Sequence, residues 1–199
     1  MIKTIIWDFD GVILDSNAVR DKGFVMTLSG YPSKQVDALL HYHRENGGLS
    51  RYHKFRYFFE EIRGEQVTEE QIKELAHQFS VIMMKELAKP ELLIEQTNSF
   101  IEAHHEKYNM HIVSGSDQEE LRKLCSLLGI DQFFKSIEGS PTPKIDLVAN
   151  ILRKEKYDKN RCLLIGDSIN DYEAAFKNKI HFQAFGNKSI ENKSTYKLL

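Results

Sequence analysis

The chain has 199 residues, which is the size of one domain, or of one domain with a smaller insert. Its 41% hydrophobic and 28% charged residues are ordinary for a soluble globular protein. The formal net charge of −2 does not indicate a nucleic-acid or membrane-surface partner, and no apolar run has the length of a membrane span. These features exclude the membrane-protein class and disfavour nucleic-acid binding.

The N-terminal segment enters a strand-like run at once and shows no signal-peptide pattern. Two cysteines, Cys125 and Cys162, lie far apart in apolar surroundings. Because disulfides persist mainly in secreted proteins, we expect both cysteines to be reduced core thiols in a cytoplasmic protein.

The first predicted element is a buried strand over residues 3–9, followed by two acidic residues and a glycine, Asp8, Asp10 and Gly11. Residues two apart in a strand point the same way, so both carboxylates can face one space at the strand end. Crowded carboxylates repel each other unless a cation or a proton lies between them, and Mg²⁺ prefers such oxygen ligands. The alternative is a solvated turn, in which Asp and Gly are common.

Residues 16–90 contain no convincing strand and break at glycines and prolines into helical stretches. Thr68 and Gln71 have the spacing of a helix capping box. We expect this segment, here called the helical insert, to have its own apolar core. Aromatic and aliphatic residues at helical spacing within it are Phe55, Phe58, Phe59 and Ile62.

Predicted strands and helices alternate in the rest of the chain, which indicates a parallel sheet with right-handed crossovers. Ligands bind such sheets at the carboxyl ends of the strands. We therefore expect an α/β core of residues 1–15 and 91–199, a helical cap of residues 16–90, and a polar tail. The predicted strands cover 110–113, 133–137, 162–165 and 181–185, and the predicted helices cover 92–108, 118–128, 144–154 and 170–177.

The segment Ser114-Gly115-Ser116-Asp117 follows the second predicted strand and opens a helix. A hydroxyl and free N–H groups at a helix N-terminus bind anions, and glycine lets the backbone approach closely. Ser114 can donate to a phosphate oxygen. Ser116 or Asp117 can at the same time act as an ordinary helix N-cap.

Two acidic residues, Asp167 and Asp171, follow the predicted strand at 162–165. Asp167 can reach a metal held beside Asp8 and Asp10. Asp171 lies in the first helical turn, where it supports the site from behind or simply stabilises the helix dipole.

Lys144 begins a predicted helix after a loop with two prolines. A cation is unfavourable at a helix N-terminus, which favours a role as a phosphate counter-ion over that of a free surface lysine.

The order of these four clusters resembles the haloacid dehalogenase superfamily of phosphohydrolases. The matching segments are D-x-D-G-V at residues 8–12, the strand-end serine, the lysine, and G-D-S-x-x-D at residues 166–171. The match spans residues 5–175 and is similar to the phosphoglycolate phosphatase and β-phosphoglucomutase branch. It implies a Rossmann-like parallel sheet with helices on both faces and a small inserted all-helical cap.

The resemblance implies that Asp8 is the nucleophile that takes the phosphoryl group. Asp10 would protonate the leaving oxygen and then activate water. It further implies Mg²⁺ held by Asp8, the backbone carbonyl of Asp10 and Asp167, with Asp171 behind them. The implied phosphoryl-binding groups are Gly11, Ser114, Gly115 and Lys144.

An acid at position 10 separates the possible activities within this resemblance. The dehalogenase branch lacks it, and the related P-type ATPases have Thr there, so Asp10 favours phosphatase or phosphomutase chemistry. Arg20 stands where the mutase has a histidine that assists its acid–base step, which favours hydrolysis. Arg20 itself is a candidate to face the cleft.

The segment Gly48–Arg51 resembles the cap specificity loop of β-phosphoglucomutase, in which an arginine holds the non-reacting phosphate. Arg51 is thus a candidate for binding a second anionic group of the substrate. The alternative is an N-cap at Ser50 followed by a surface arginine. Zinc is disfavoured because His41 and His43 lie on different faces of a helix and no cysteine pair accompanies them.

The sequence therefore predicts a Mg²⁺-dependent phosphatase of a small phosphorylated metabolite, either a phosphosugar or a phosphorylated organic acid. The alternatives are a phosphosugar mutase and a non-catalytic binding or regulatory protein that uses the same cleft. No oligomeric state is indicated.

Overall fold

The computed structural model describes residues 1–199 and contains one five-stranded sheet in which all strand pairs are parallel. The order across the sheet is β3-β2-β1-β4-β5, so the first strand lies at the centre. The predicted α/β class is confirmed. The strands are β1 (Thr4–Trp7), β2 (Asn109–Asp117), β3 (Ser136–Ser140), β4 (Cys162–Gly166) and β5 (His181–Ala184).

The register of the central strand determines which residues meet at its carboxyl end. Trp7, the last residue of β1, pairs with Ile112 on one side and Ile165 on the other. All four residues of β1 are buried, as expected for a parallel strand covered on both faces. The segments that follow residues 7, 112 and 165 therefore emerge side by side.

Four helices cover this sheet, and the sequence predicted their number and order. α7 (Lys144–Lys154) has the predicted bounds, while α5 (Glu95–His104) is shorter than expected because a 3₁₀ turn, Pro90–Leu92, precedes it. β3 starts later than predicted because Asp131–Phe133 forms another 3₁₀ turn. The remaining two helices are α6 (Gln118–Leu127) and α8 (Ile169–Asn178).

The helical insert contains four α-helices and no strand. The predicted capping box is present, because the Gln71 N–H donates to Thr68 Oγ1 (3.2 Å) and the Thr68 N–H donates to Gln71 Oε1 (2.9 Å). The division into a core and a cap at residues 16 and 90 stays a prediction. The helices are α1 (Asn17–Thr27), α2 (Ser33–Glu45), α3 (Arg51–Tyr57), which continues into a π-helical turn (Phe58–Arg63), and α4 (Glu69–Leu87).

One apolar cluster joins the insert to one face of the sheet, because it contains Trp7 of β1 and also Phe24 and Phe79 of the insert. Phe55, Phe58 and Phe59 are buried as predicted, and Ile62 packs against the same cluster. The two cysteines are free and buried, also as predicted. None of the helices is both long and apolar enough to span a bilayer.

The tail, which the sequence left without a prediction of order, runs along β5. The Thr195 N–H donates to the carbonyl of Phe182 (2.8 Å), and the Phe182 N–H donates to Thr195 Oγ1 (3.0 Å). Ser194 Oγ accepts from the Ala184 N–H at 2.9 Å. The outer edge of this strand is therefore paired with the chain's own C-terminal segment.

Candidate active site

Asp8 follows β1 directly and is 5% exposed, with its N–H donating to the carbonyl of Ile165 at 2.9 Å. Lys144 begins α7, and its Nζ donates to Asp8 Oδ1 at 2.7 Å and also to Asp171 Oδ1. Burial and the neighbouring Asp171 raise the pKa of Asp8 well above its ordinary value, which Lys144 only partly offsets. The two carboxylates outweigh burial at Lys144 and raise its pKa. The lysine is thus held as a cation between two acids.

Asp8, Asp167 and Asp171 form an acidic group in which one oxygen of each residue lies within 4.8 Å of the others. Asn17 of α1 donates to Asp167 Oδ2 at 3.1 Å. Burial, followed by repulsion from Asp171, raises the pKa of Asp167 to about 6. Three carboxylates with one lysine leave an excess of buried negative charge, and a hard divalent cation with oxygen ligands fits such a donor set.

Gly11 lies directly against this acidic group. It has a φ of 76°, and a Cβ at this position would lie 2.1 Å from Asp167 Oδ2. Only glycine combines this left-handed conformation with that close approach. The Gly11 N–H donates to the carbonyl of Leu14 at 2.8 Å, so a phosphoryl group bound there has to compete with that carbonyl.

Asp171 contacts both the acidic group and the N-terminus of α8. It is fully buried and bonds Lys144, and its Oδ2 also accepts from the N–H (3.0 Å) and the Oγ (2.6 Å) of Ser168. Ser168 is the N-cap of α8, so the same carboxylate completes a capping box. The helix terminus and the acidic group are therefore built from one side chain.

The side chain of Asp10 lies outside the acidic group. It accepts hydrogen bonds from Arg20 Nε (2.7 Å), from Ser116 Oγ (2.6 Å) and from Ser16 Oγ. Burial acts to raise the pKa of Asp10, but Arg20 and the two hydroxyls outweigh it and lower this pKa to about 2. The sequence did not identify Ser16, and it considered Ser116 only as an N-cap. The N-cap of α6 is Asp117.

Ser114 is buried, with its Oγ accepting from the Ser116 N–H (3.0 Å) and lying 3.5 Å from Asp10 Oδ2. Gly115 touches the helical insert, because a Cβ there would lie 2.5 Å from the carbonyl oxygen of Gly48. The predicted phosphoryl-binding segment thus lies between the two candidate catalytic acids and a loop of the insert.

Arg20 and Arg51 face the cleft from the insert, and both are ion-paired. Arg20 Nη1 donates to Glu120 Oε1 at 2.8 Å, and Arg51 donates to both oxygens of Glu120 at 2.6 and 2.8 Å. Ser50 accepts from the His53 N–H at 3.3 Å and is an N-cap, as the alternative interpretation held, but Arg51 is buried and is not the surface arginine of that interpretation. Glu120 was not identified from the sequence, because acids in a first helical turn are common.

Lys54 is a further buried cation of the insert, and its Nζ bonds His43 Nδ1 (2.8 Å) and the carbonyl of Gly47 (3.1 Å). Burial lowers the pKa of Lys54 to about 7, and burial next to Lys54 lowers that of His43 to about 2. None of the histidines belongs to the acidic group.

One cavity between the insert and the sheet, beside Asp10, is about 30 Å³, which holds roughly one or two water molecules. The insert is therefore closed at Asp10, while a wider space of about 760 Å³ lies between the insert and the residues around Asp167. Among the residues that line the smaller cavity are Asp10, Arg20, His43, Arg51, Lys54 and Ser116.

The register of β1, β2 and β4, together with the start of α7, brings six of the predicted site residues to one place. A profile of the haloacid dehalogenase-like hydrolases matches residues 5–185, which is most of the chain. The chain belongs to this hydrolase family. No curated protein sequence matches the chain significantly. The six predicted site residues that meet at the strand ends are Asp8, Gly11, Ser114, Lys144, Asp167 and Asp171.

Solved structures share the fold of this hydrolase at low sequence identity. A haloacid dehalogenase-like family hydrolase from Streptococcus pneumoniae is 21% identical with a TM-score of 0.69, covering 94% of this chain and 88% of the other. A β-phosphoglucomutase from Clostridium difficile is 17% identical with a TM-score of 0.75, covering 98% and 89%. The magnesium-bound HAD-hydrolase YfnB from Bacillus subtilis is 18% identical with a TM-score of 0.67, covering 92% and 86%.

Proposed function

We propose that this hydrolase is a Mg²⁺-dependent phosphatase that acts on a small phosphorylated metabolite through an aspartyl-phosphate at Asp8. The observation that carries the proposal is the contact of Asp8 Oδ1 with Lys144 Nζ at 2.7 Å, inside a group of three carboxylates. A phosphoryl group needs an in-line nucleophile and neutralisation of its equatorial oxygens. Asp8 and Lys144 are the matching groups.

The residues suited to hold the metal are Asp8 and Asp167, with Asp171 behind them. A bound Mg²⁺ would supply charge neutralisation for the transferring phosphoryl group. The magnesium in the YfnB structure supports this choice of ion.

In the first step, an oxygen of Asp8 forms a bond to phosphorus while the bond from phosphorus to the leaving oxygen breaks. Ser114 Oγ and Lys144 Nζ stabilise the equatorial oxygens. Asp10, which carries a proton in this step, gives it to the leaving oxygen. Arg20 lowers the pKa of Asp10, so Asp10 holds this proton against the effect of the neighbouring cation.

In the second step, Asp10 accepts a proton from water, and the resulting nucleophile attacks the phosphorus of the aspartyl-phosphate. The bond between phosphorus and Asp8 breaks, which releases inorganic phosphate and restores the carboxylate. The Arg20 and Ser116 contacts favour the ionised form of Asp10 that this step requires.

The candidate substrates are a phosphosugar and a phosphorylated organic acid. A second phosphate at Arg51 would have to displace Glu120, which occupies two donors of that guanidinium. A substrate with one phosphate therefore suits the closed site better than a bisphosphate. Arg20, which pairs directly with Asp10, stands where the mutase has a histidine, and this difference favours hydrolysis.

The test is release of inorganic phosphate from an aryl phosphate and from a panel of sugar phosphates and phosphorylated acids. We expect turnover with Mg²⁺ and none with excess chelator. Formation of an isomeric phosphate without release would identify a mutase. A complete absence of turnover across the panel with Mg²⁺ would overturn the proposal and favour a binding or regulatory protein.

A further inference from the structure

We infer that Glu120 is a positioning residue that fixes Asp10 through Arg20 when Arg51 of the helical insert is seated on it. The inference rests on the proposed function, because Asp10 is the acid–base residue of that reaction. Glu120 lies in the first turn of α6, and no part of the proposed mechanism uses it.

The contacts form one continuous network of side chains that alternates between the α/β core and the insert. Asp10 Oδ1 accepts from Arg20 Nε at 2.7 Å, and Glu120 Oε1 accepts from Arg20 Nη1 at 2.8 Å. Arg51 Nη1 and Nη2 then donate to Oε2 and Oε1 of Glu120 at 2.6 and 2.8 Å. Glu120 Oε1 thus accepts from both arginines and links them.

These charged side chains are buried, and their charges alternate in sign from one residue of the network to the next. Arg20, Glu120 and Arg51 are 6%, 3% and 4% exposed. Buried pairs of this kind become strongly unfavourable when one partner is removed, because the remaining charge is left uncompensated. Loss of Glu120 would leave two buried guanidinium groups next to each other without the carboxylate between them.

The orientation of the Arg20 guanidinium depends on Glu120. Arg20 uses Nε for Asp10 and Nη1 for Glu120, while its Nη2 is buried and has no partner. Its plane is therefore fixed by only two acceptors. Without Glu120, the guanidinium is free to turn about its single contact with Asp10. The Asp10 carboxylate then keeps only the Ser16 and Ser116 hydroxyls as fixed donors.

Arg51 connects this arrangement to closure of the insert. It is the first residue of α3, and it also donates to Ser80 Oγ at 2.7 Å and lies 4.6 Å from the centre of the Phe79 ring. Arg51 therefore stays with the insert, as does Arg20 of α1, whereas Glu120 stays with α6 beside the sheet. Opening the insert removes all three donors that Glu120 has in the closed state, together with the contact between Arg20 and Asp10.

The test compares Glu120→Gln with Glu120→Asp, using the exposed neighbour in Glu119→Gln as the control. Steady-state hydrolysis of an aryl phosphate with Mg²⁺ is followed across pH. We expect Glu120→Gln to lower kcat by about tenfold to a hundredfold with little change in KM, and to displace the pH–rate profile. Glu120→Asp should recover part of kcat, and Glu119→Gln should match the wild type.

Limited proteolysis of the loop at residues 46–50 gives a readout that does not depend on activity. We expect faster cleavage in Glu120→Gln than in Glu119→Gln, because the insert loses its contact with α6. If Glu120→Gln does not fold, Arg51→Lys replaces it, since that variant keeps the charge and loses the bidentate geometry. We expect Arg51→Lys to lower kcat as well, but by less than Glu120→Gln.

An unchanged kcat and pH profile in a folded Glu120 variant would overturn the inference. A kcat that falls only in proportion to the folded fraction, with an unchanged pH profile, would also overturn it. Wild-type protein that hydrolyses no phosphate ester refutes the proposed function instead, and the catalytic role of Glu120 with it. In that case the proteolysis result would still show whether Glu120 holds the insert against α6.

Discussion

Lys144 Nζ lies 2.7 Å from Oδ1 of Asp8, and the two residues come from the first turn of α7 and the end of the central strand. The lysine side chain is 3% exposed and that of Asp8 is 6% exposed. A charged pair this deeply buried has lost its hydration, so each partner depends on the other for its ionised state.

Replacing Lys144 by alanine should therefore destabilise the metal-free protein by about 3 kcal/mol or more, because Asp8 and Asp171 lose their shared cation. Denaturant unfolding of Lys144→Ala and of the exposed-site control Lys123→Ala measures the difference. Equal stability of the two variants would show that the pair contributes nothing to folding. Added Mg²⁺ should stabilise Lys144→Ala more than Lys123→Ala, because the carboxylates of Lys144→Ala have no other cation beside them.

Asp8→Asn should remove turnover while leaving the fold intact, since the amide is nearly isosteric and is a poor nucleophile. We expect kcat for an aryl phosphate to fall by about a thousandfold or more. The matched control is Asp37→Asn at an exposed position of α2, which should keep wild-type kinetics. Near-normal turnover in a folded Asp8→Asn protein would exclude Asp8 as the nucleophile.

Mg²⁺ should raise the melting temperature of the wild type, because it binds the folded acidic group and not the unfolded chain. At a concentration of one hundred times the Kd, the expected stabilisation is about 2.7 kcal/mol. Asp167→Asn should lose most of this shift, since Asp167 is one of the three grouped carboxylates. A shift of equal size in both proteins would place the metal elsewhere.

The stability of the protein should depend on His111, which is 1% exposed and bonds Ser136 Oγ (2.9 Å) and Tyr157 Oη (3.0 Å). Burial, reinforced by Lys135 and Lys154, lowers its pKa from the ordinary 6.5 to about 4. The unfolded chain therefore binds the proton first as pH falls. The contribution of neutral His111 to the free energy of unfolding is complete above pH 6.5, and it is lost as the pH falls towards 4.

The size of this effect is on the order of 3 kcal/mol for the full shift. It is measured as the change in unfolding free energy between pH 7 and pH 4, compared between the wild type and His111→Gln. The exposed His77→Gln variant serves as the control and should keep the wild-type slope. A His111→Gln protein with the wild-type slope would contradict the prediction.

Gly115→Ala should hinder closure of the insert, because the added Cβ would lie 2.5 Å from the carbonyl oxygen of Gly48. We expect a loss of kcat/KM and faster proteolysis of the loop at residues 46–50. Gly30→Ala is the matched control, since nothing lies within 4 Å of a Cβ at that exposed position. Equal kinetics and equal cleavage in the two variants would mean that the insert closes without this contact.

The sequence predicted those parts of the fold and site that depend on local order along the chain. Apolar runs located the strands, and the acids that follow them, Asp8 and Asp167, necessarily meet because parallel strands end at one edge of the sheet. The bounds of α7 were predicted correctly, since two prolines precede the helix and apolar residues recur at helical spacing along it. β3 was placed too early, because a 3₁₀ turn and a strand start have similar local composition.

The contacts across the cleft could not be predicted in the same way. Arg20, Arg51 and Glu120 are separated by 31 to 100 positions in the chain, and they meet only because the insert folds back over α6. Surface arginines and glutamates have the same local signature as these buried ones. Sequence patterns therefore identified Arg51 as a substrate ligand candidate and did not reveal the carboxylate that holds it.

The C-terminal segment beside β5 has a consequence for solubility. An outermost strand with unpaired N–H and carbonyl groups is a template on which another molecule can add a strand. In this protein Ser194 and Thr195 occupy those groups at Phe182 and Ala184. Removing residues 194–199 would uncover them, so the shortened chain should self-associate through β5 even though every residue of the cleft is retained.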